Sequence, residues 1–315
     1  MTGLVTLGET MLVLRSTEPS PLRWGKPYTA AMAGCESNVA IGVARLGHPA
    51  AWLGRVGDDE AGHVILATLR GEGVDVGGAV VEAKGSTGMM LRTSRTTGLN
   101  QVRYYRAGSA GSHLCVTDIA PDAMVDRQFL HASGITAALS SSAREATAHA
   151  VRLARSSGVQ VSFDINHRTR LTTPENAAAF LAEIINTVDL LFCGDDELEI
   201  LELALPGDDP VRSALDAGVR EVVLKRGAFG AQVHTIDGSI EQRAHAVVVA
   251  DTIGAGDAFA AGYLSGCLDG EPLTGRLARA ATVAAFCVSS DGDWEGLPHR
   301  AELTSADPAA TTTMR

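Results

Sequence analysis

At 315 residues, 45% of them hydrophobic, the chain exceeds one average domain but can bury a single large α/β core. A formal net charge of −11 argues against general nucleic-acid or acidic-membrane binding. No apolar run approaches the roughly 20 residues of a membrane span.

Met1 to Val13 is apolar but has neither a basic leader nor a cleavage-like site, so a cytoplasmic protein is expected. Leu4–Leu7 reads as a strand ending at Gly8-Glu9, and Met11–Arg15 as a second. Ser16 to Lys26 is an irregular loop. Ala33 to Gly47 predicts a close-packed helix, capped by Ser37 or Asn38 and closing at Gly47. A strand at Ala50–Arg55, a loop from Gly57 to Gly62 and a helix at His63–Glu72 follow. Val80-Val81, Met89–Thr93 and Gln101–Arg106 read as antiparallel strands and hairpins, with a turn at Gly98-Leu99-Asn100.

From Phe129 the pattern changes to alternating strands and helices. Strands are predicted at Phe129–Ser133, Val159–Phe163, Leu190–Cys193 and Glu221–Lys225. Helices are predicted at Ser142–Ser156, Pro174–Asn186, Asp196–Leu203 and Val211–Ala217. Such alternation means right-handed crossovers and a parallel sheet covered on both faces. Open sheets of this kind bind ligands beyond the carboxyl ends of their strands, where Asp164, Gly194, Lys225 and Asp251 fall. The tail from His299 is polar and expected to fray. The five cysteines, Cys35, Cys115, Cys193, Cys267 and Cys287, form no Cys-x-x-Cys pair and read as reduced, buried thiols.

The most informative stretch is Asp251-Thr-Ile-Gly254-Ala255-Gly256-Asp257-Ala-Phe-Ala-Ala-Gly262. It follows Ala246–Ala250, which reads as a buried strand, and leads into an apolar helix through Leu268. Helix starts have unpaired N–H groups and favour anions, and glycines let the backbone approach one. Asp257 is placed to take a proton from a hydroxyl beside a phosphate, or equally to stabilise a first helical turn. Two common phosphate loops are ruled out. The only Gly-Lys, Gly25-Lys26, is followed by Pro27, and a dinucleotide fingerprint would need glycine where Phe259 stands.

Asp251 to Gly262 matches, position by position, the C-terminal signature of the PfkB or ribokinase-like carbohydrate kinases. Ala33 to Gly47, with Gly54-Arg-Val-Gly57-Asp58-Asp59-x-x-Gly62, resembles their N-terminal signature. The likeness runs to about Pro298 in the right order. It implies a ribokinase-like three-layer α/β/α domain over residues 1–298, with a mostly parallel sheet. A small β-sheet lid would come from segments near 11–32 and 87–108, leaving 299–315 as tail. It implies phosphoryl transfer from ATP with Mg2+ to a sugar hydroxyl, by a cytoplasmic homo-oligomer, a dimer; potassium activates some members.

The resemblance also assigns residues. Asp257 would be the base, with the amides of Gly254, Ala255 and Gly256 as anion hole. Glu197 matches the glutamate of an Asn-x-x-Glu motif that influences magnesium and phosphate, although Gly194 replaces the asparagine. Lys225 and Gly227 resemble the nucleotide-side strand and turn, and Thr282 stands where many relatives carry an asparagine near adenine. Where ribokinases and fructokinases hold sugar hydroxyls with an aspartate, this chain has Val13. Tyr104 to Ser112 and Asp164 to Arg168 instead look like the corresponding stretches of 2-keto-3-deoxygluconate kinases. An acidic sugar needs a fixed cation, and arginine's fork matches a carboxylate. Arg106 and Arg168 would supply it, Tyr104 a hydroxyl and a wall, and Gly34 and Asn38 would meet the hydroxyl end. Met89-Met90 stands where relatives often place an aromatic wall. The competing readings are a kinase for a neutral sugar or nucleoside, and a sugar-binding sensor without turnover.

Overall fold

The computed structural model describes residues 3–18, 20–94 and 100–303, without the side chains of Ser94 and Asn100. The chain opens with β1 (Gly3–Leu7), β2 (Met11–Ser16), β3 (Tyr28–Ala33) and α1 (Cys35–Arg45). Next come β4 (Ala50–Leu53), β5 (Arg55–Gly57), α2 (Glu60–Gly71), β6 (Val74–Asp75) and β7 (Val80–Glu82). The hairpin β8 (Met89–Ser94) and β9 (Asn100–Tyr105) leads to β10 (Arg127–Ser133). After it run α3 (Gly134–Ala137), α4 (Ser141–Ser156), β11 (Gln160–Asp164), α5 (Pro174–Ile184) and β12 (Leu190–Gly194). Then follow α6 (Leu198–Ala204), α7 (Pro210–Asp216), β13 (Glu221–Lys225), β14 (Ala231–Thr235) and β15 (Gly238–Gln242). The last elements are α8 (Ala255–Leu268), α9 (Leu273–Val288) and α10 (Arg300–Leu303).

Nine strands form one sheet in the order β15-β14-β13-β12-β11-β10-β1-β4-β6. From β6 to β13 every pairing is parallel. The central strands are apolar and buried on both faces, as a sheet between two helical layers requires. One face packs on α4, α5, α6 and α7 around Val161, Phe163, Leu191 and Val222. The other packs on α1, α2, α8 and α9 around Trp52, Phe192, Val223 and Tyr263. Crossover connections bring the carboxyl ends of the parallel strands to one edge, where Asp164, Gly194 and Lys225 each end a strand.

Four strands, β3-β2-β8-β9, form a separate small sheet. Its own buried core is Val13, Ala33 and Met90. Three such side chains contribute only a few kcal/mol, at about 1.5–3 kcal/mol per fully buried large one. Met32 of β3 packs into the main core, and polar ties to the main body join it in setting where this sheet sits.

Several expectations are corrected. Ala246–Ala250 is irregular and exposed rather than a buried strand: it pairs with no described strand, and Val247 lines a surface groove. The chain instead closes the sheet with β14 and β15, an antiparallel hairpin on β13 that hydrophobic alternation did not single out. Within the small sheet β2 and β8 run parallel, since the connection between them travels through the main body. Val80-Val81 lies outside it, paired in parallel with β5. Gly34 rather than Ser37 or Asn38 caps α1, which frees Asn38 to point away from the helix end. Asp59 caps α2, starting it before His63. The beginning of the tail is held, not frayed: Arg300 bonds the carbonyl of Leu46 and pairs with Asp269. The proposed turn at Gly98-Leu99 and residues 304–315 lie outside the described residues. All five cysteines are free, but Cys35 and Cys115 are only half-buried. Burial and Glu36 push the Cys35 thiol well up, leaving it protonated and unreactive at neutral pH.

Candidate active site

The loop before α8 is built to present amides. Asp251 accepts the N–H of Ile253 at 3.2 Å, which starts a tight turn. Gly254 then caps α8 in the left-handed region at φ 78°. A β-carbon there would lie 2.0 Å from the carbonyl oxygen of Asp293, so both backbone angle and space demand glycine. Ala255, Gly256 and Asp257 form the first turn, whose amides have no partner inside the helix. At Gly256 the nearest atom to an added β-carbon is the Lys225 Nζ, at 3.7 Å. The turn is thus open toward a cation.

Asp257 Oδ2 accepts a hydrogen bond from Asn38 Nδ2 at 2.8 Å. Asn38 is buried on α1, which approaches α8 closely because Gly42 faces Ala261. Burial pushes the Asp257 carboxyl up to about 7; the Asn38 bond and Lys225 oppose this, while Asp164 and Asp293 add to it. A base with a pKa near the working pH is both available and strong enough to accept a proton.

Lys225, at the end of β13, pairs with Asp164, at the end of β11, at 2.6 Å. Burial alone would lower its pKa, but Asp164, Glu197 and Asp257 outweigh that and hold it above its ordinary value. It therefore remains an ammonium beside the amide turn, not a snorkelling surface lysine. Glu197 is buried and accepts the N–H of Gly194 at 2.7 Å and of His167 at 2.6 Å. Burial and Asp164 raise its pKa, against Lys225 and the two amides. In this structure it ties the ends of β11 and β12 together, a role the sequence did not indicate.

Across the cleft, Glu9 follows β1 and is buried; it accepts the Ser109 hydroxyl and pairs with Arg106 at 2.5 Å. The Arg106 guanidinium sits 5.7 Å from the centre of the half-exposed Tyr104 ring. Its Nε is buried and finds no partner among the described residues. Gly34 lies against this group, since a β-carbon would meet the Glu9 carbonyl oxygen at 2.5 Å. Arg106, Gly34 and, one helical turn on, Asn38 are thereby brought to one place. Arg168 is not bonded to them. Asn166 takes a left-handed φ of 41° with its N–H on Asp164, Glu197 holds His167, and Arg168 projects into solvent with NH1 on the carbonyl of His167. Beyond it, Arg170 donates to the Val102 carbonyl on β9 at 2.7 Å.

Thr282 lies on α9, donating to the Ala278 carbonyl at 3.0 Å and lying 3.1 Å from His245 Nε2. It lines a groove of about 350 Å³ with His245, Val247, Ala285, Phe286 and Ser289. Gly227, at φ 53°, turns the chain after β13. Sequence reasoning missed Glu9, Arg92 and Asp293. Glu9 was visible as an acid at the end of the first strand; the other two are charged residues whose partners lie far away in the chain.

A family model for pfkB family carbohydrate kinases matches residues 1–300. The chain is 36% identical over 307 residues to the 2-dehydro-3-deoxygluconokinase of Bacillus subtilis (strain 168), covering 96% of this chain and 94% of that protein. It is 36% identical over 303 residues to the 2-dehydro-3-deoxygluconokinase of Thermoproteus tenax, covering 95% and 92%. The crystal structure of a PfkB protein from Polaromonas sp. JS666 aligns with a TM-score of 0.87 at 34% identity, covering 97% of this chain and 100% of that one. With its nine-stranded ribokinase-like α/β architecture and separate four-stranded sheet, the chain belongs to the pfkB family of carbohydrate kinases.

Proposed function

We propose that this kinase transfers the γ-phosphoryl group of ATP to the terminal hydroxyl of an acidic keto sugar, 2-dehydro-3-deoxygluconate (2-keto-3-deoxygluconate). The observation that carries the reaction is the placement of Asp257, held by Asn38 at 2.8 Å, inside an amide turn that faces the Lys225 ammonium. Asp257 takes the hydroxyl proton as the oxygen attacks, and the amides of Gly254, Ala255 and Gly256 receive the charge on the transferring group. Lys225 draws the phosphates toward that turn, and Asn38 keeps the Asp257 carboxylate aimed. The groove beside Thr282 and the turn at Gly227 are the nucleotide side.

Among the described residues no three acids, histidines or cysteines stand together as a metal cage. Mg2+ in kinase sites binds through phosphates and water with one or two carboxylates. Asp164 and Glu197 are the acids nearest Lys225 and would hold it through water, since their oxygens are engaged by Lys225 and by the amides of Asn166, Gly194 and His167. When bound, Mg2+ neutralises and orients the phosphate oxygens. The reading includes a cytoplasmic dimer, which fits the exposed Leu22, Trp24 and Tyr105 of the small sheet and its loop.

The sugar's acidity is supported by Arg106, a partly buried side chain whose Nε has no partner among the described residues, and by the names of the Bacillus subtilis and Thermoproteus tenax relatives. Glu9 orients it, and Tyr104 walls it. Arg168, on the exposed loop, closes on the carboxylate from the other side. Steady-state assays with a panel of acidic and neutral sugars test this. Arg106→Ala should raise KM for the acidic sugar by about 10²-fold, the scale of a lost charged hydrogen bond, and leave a neutral one unchanged. Equal losses on both sugars would remove the carboxylate role, and binding without ADP release would make the protein a sensor.

A further inference from the structure

A buried ion pair joins the small sheet to the proposed phosphoryl-transfer loop. Arg92, on β8, pairs with Asp251 at 2.6 Å, and both side chains are almost fully buried, at 7% and 5% exposed. Asp251 divides its carboxylate. Oδ2 meets the guanidinium, while Oδ1 accepts the N–H of Ile253 inside the turn that delivers Gly254. The carbonyl of Asp293 lies against Gly254 on the other side. Arg15, the register partner of Arg92 on β2, and Arg92 both face the Asp293 carboxyl, and Asp251 and Glu295 face it too. Two arginines of the small sheet thus face the acids that hold the amide turn of α8.

A buried ion pair adds little net stability compared with apolar packing, because both charges lose their water. What it does supply is a fixed geometry. Arg92 is paired in register with Val102, and its neighbour Met90 with Tyr104, on the strand that leads to Arg106. The side chain that touches the amide turn therefore belongs to the same hairpin as those assigned to the sugar. We propose that Arg92 is a positioning residue for phosphoryl transfer: through Asp251 it sets the amide turn at Gly254–Gly256 and fixes the sugar-bearing sheet relative to Asp257. This rests on reading that turn as the phosphoryl-transfer centre. Without Arg92, Asp251 and Asp293 would be neighbouring carboxyls with too little countercharge. The turn would lose one of its two anchors, and the hydroxyl would meet the phosphorus at the wrong distance.

The experiment is a double-mutant cycle on the full chain, using Arg92→Met, Asp251→Asn and both together, assayed with ATP and saturating 2-dehydro-3-deoxygluconate. Arg92→Met should lower kcat by about 10²-fold, the scale of a 1 Å misplacement, with KM for ATP and for sugar changed little. The double variant should lose no more than the worse single one, because both act on one contact. Added guanidinium ion should restore part of the kcat of Arg92→Ala. A purely structural arginine would instead lower Tm and leave kcat of the folded fraction intact, and that result overturns the proposal, as do additive losses. If Arg92→Met does not fold, Arg92→Lys carries the same test: it keeps the charge but not the fork, and unchanged kcat would overturn the proposal. A parent protein inactive on every sugar would instead refute the phosphoryl-transfer reading, so the two failures are distinguishable.

Discussion

The two sides of the cleft are made differently. On the proposed phosphoryl side, the amide turn, Asn38, Asp257, Lys225, Asp164 and Glu197 come from helix starts and strand ends, and most are paired at hydrogen-bond distance. On the proposed sugar side the cationic and aromatic groups sit at a small sheet with a three-residue core and on the exposed loop at Arg168. The first side is built mainly from the body of the fold, with a tie from Arg92, and the second hangs on fewer ties, Arg106 on Glu9 among them. Chemistry common to many sugars can be built rigidly, whereas recognition of one sugar is carried where substitutions disturb the core least.

The largest effect should come from the rigid side. Asp257→Asn keeps the size of the side chain and an acceptor for Asn38 but removes the proton acceptor, so kcat should fall by about 10²–10⁴-fold. In the parent protein kcat/KM should rise with pH through about 7, where burial has pushed the Asp257 carboxyl, and level off above it. Asp293 titrates in the same range, pushed up to about 7 chiefly by burial. Asp293→Asn should therefore keep the inflection but move it lower, because the Asp293 charge helps to raise the Asp257 carboxyl. An inflection that vanishes with Asp293 and survives in the residual activity of Asp257→Asn would transfer the base away from Asp257.

Next in size is Gly254→Ala. The added methyl would meet the Asp293 carbonyl at 2.0 Å, in a backbone conformation that costs a non-glycine residue about 1–3 kcal/mol. The turn must shift, and kcat should fall by about 10²-fold, the size expected for a lost oxyanion donor. By contrast Gly227→Ala, also at positive φ but in open space, should change kcat less. Smaller again, on the sugar side, Arg168→Ala should raise KM for the acidic sugar less than Arg106→Ala. Arg106 is anchored by Glu9, while Arg168 must be ordered on binding. Equal effects from the two arginines would erase the distinction between an anchored and a mobile cation.

The same contrast explains what was legible in the sequence. Glycine-rich helix starts announce themselves locally, so Gly254, Gly256 and Asp257 could be singled out from spacing, and Asp164 and Lys225 from strand ends. Their mutual pairing could not, because Lys225 and Asp164 are 61 residues apart and are joined only by sheet order. Arg92 reads in sequence as one more charge on a hairpin; it becomes significant when β8 brings it to Asp251. Ala246–Ala250 misled for the opposite reason. Valine-rich runs are strand-like by propensity, but this one is exposed and pairs with no described strand, and Val247 borders a surface groove. Arg106 was noticed as a cation for a substrate, without any sign that Glu9 holds it.

The smallest predicted effect is also the most direct test of why Asp257 is reactive. A carboxyl whose folded pKa lies above its ordinary range binds its proton more tightly folded than unfolded. Stability contributed by this group therefore falls as pH rises from its ordinary acid range to about 7, and the deficit is complete above that. Asn cannot ionise, so Asp257→Asn should escape the deficit while keeping the contact with Asn38. At pH 8 its Tm should exceed that of the parent by about 2–4 °C, and at pH 4 the two should coincide. Because the Asp293 charge helps to raise the Asp257 carboxyl, the same pair compared in an Asp293→Asn background isolates Asp257. A gain in stability that accompanies the loss of turnover would mean that the fold holds this carboxylate against its own preference, as a tuned base requires. If instead the variant were less stable than the parent at pH 8, the ionised Asp257 would be a net stabiliser, and its elevated pKa could not be the source of its basicity.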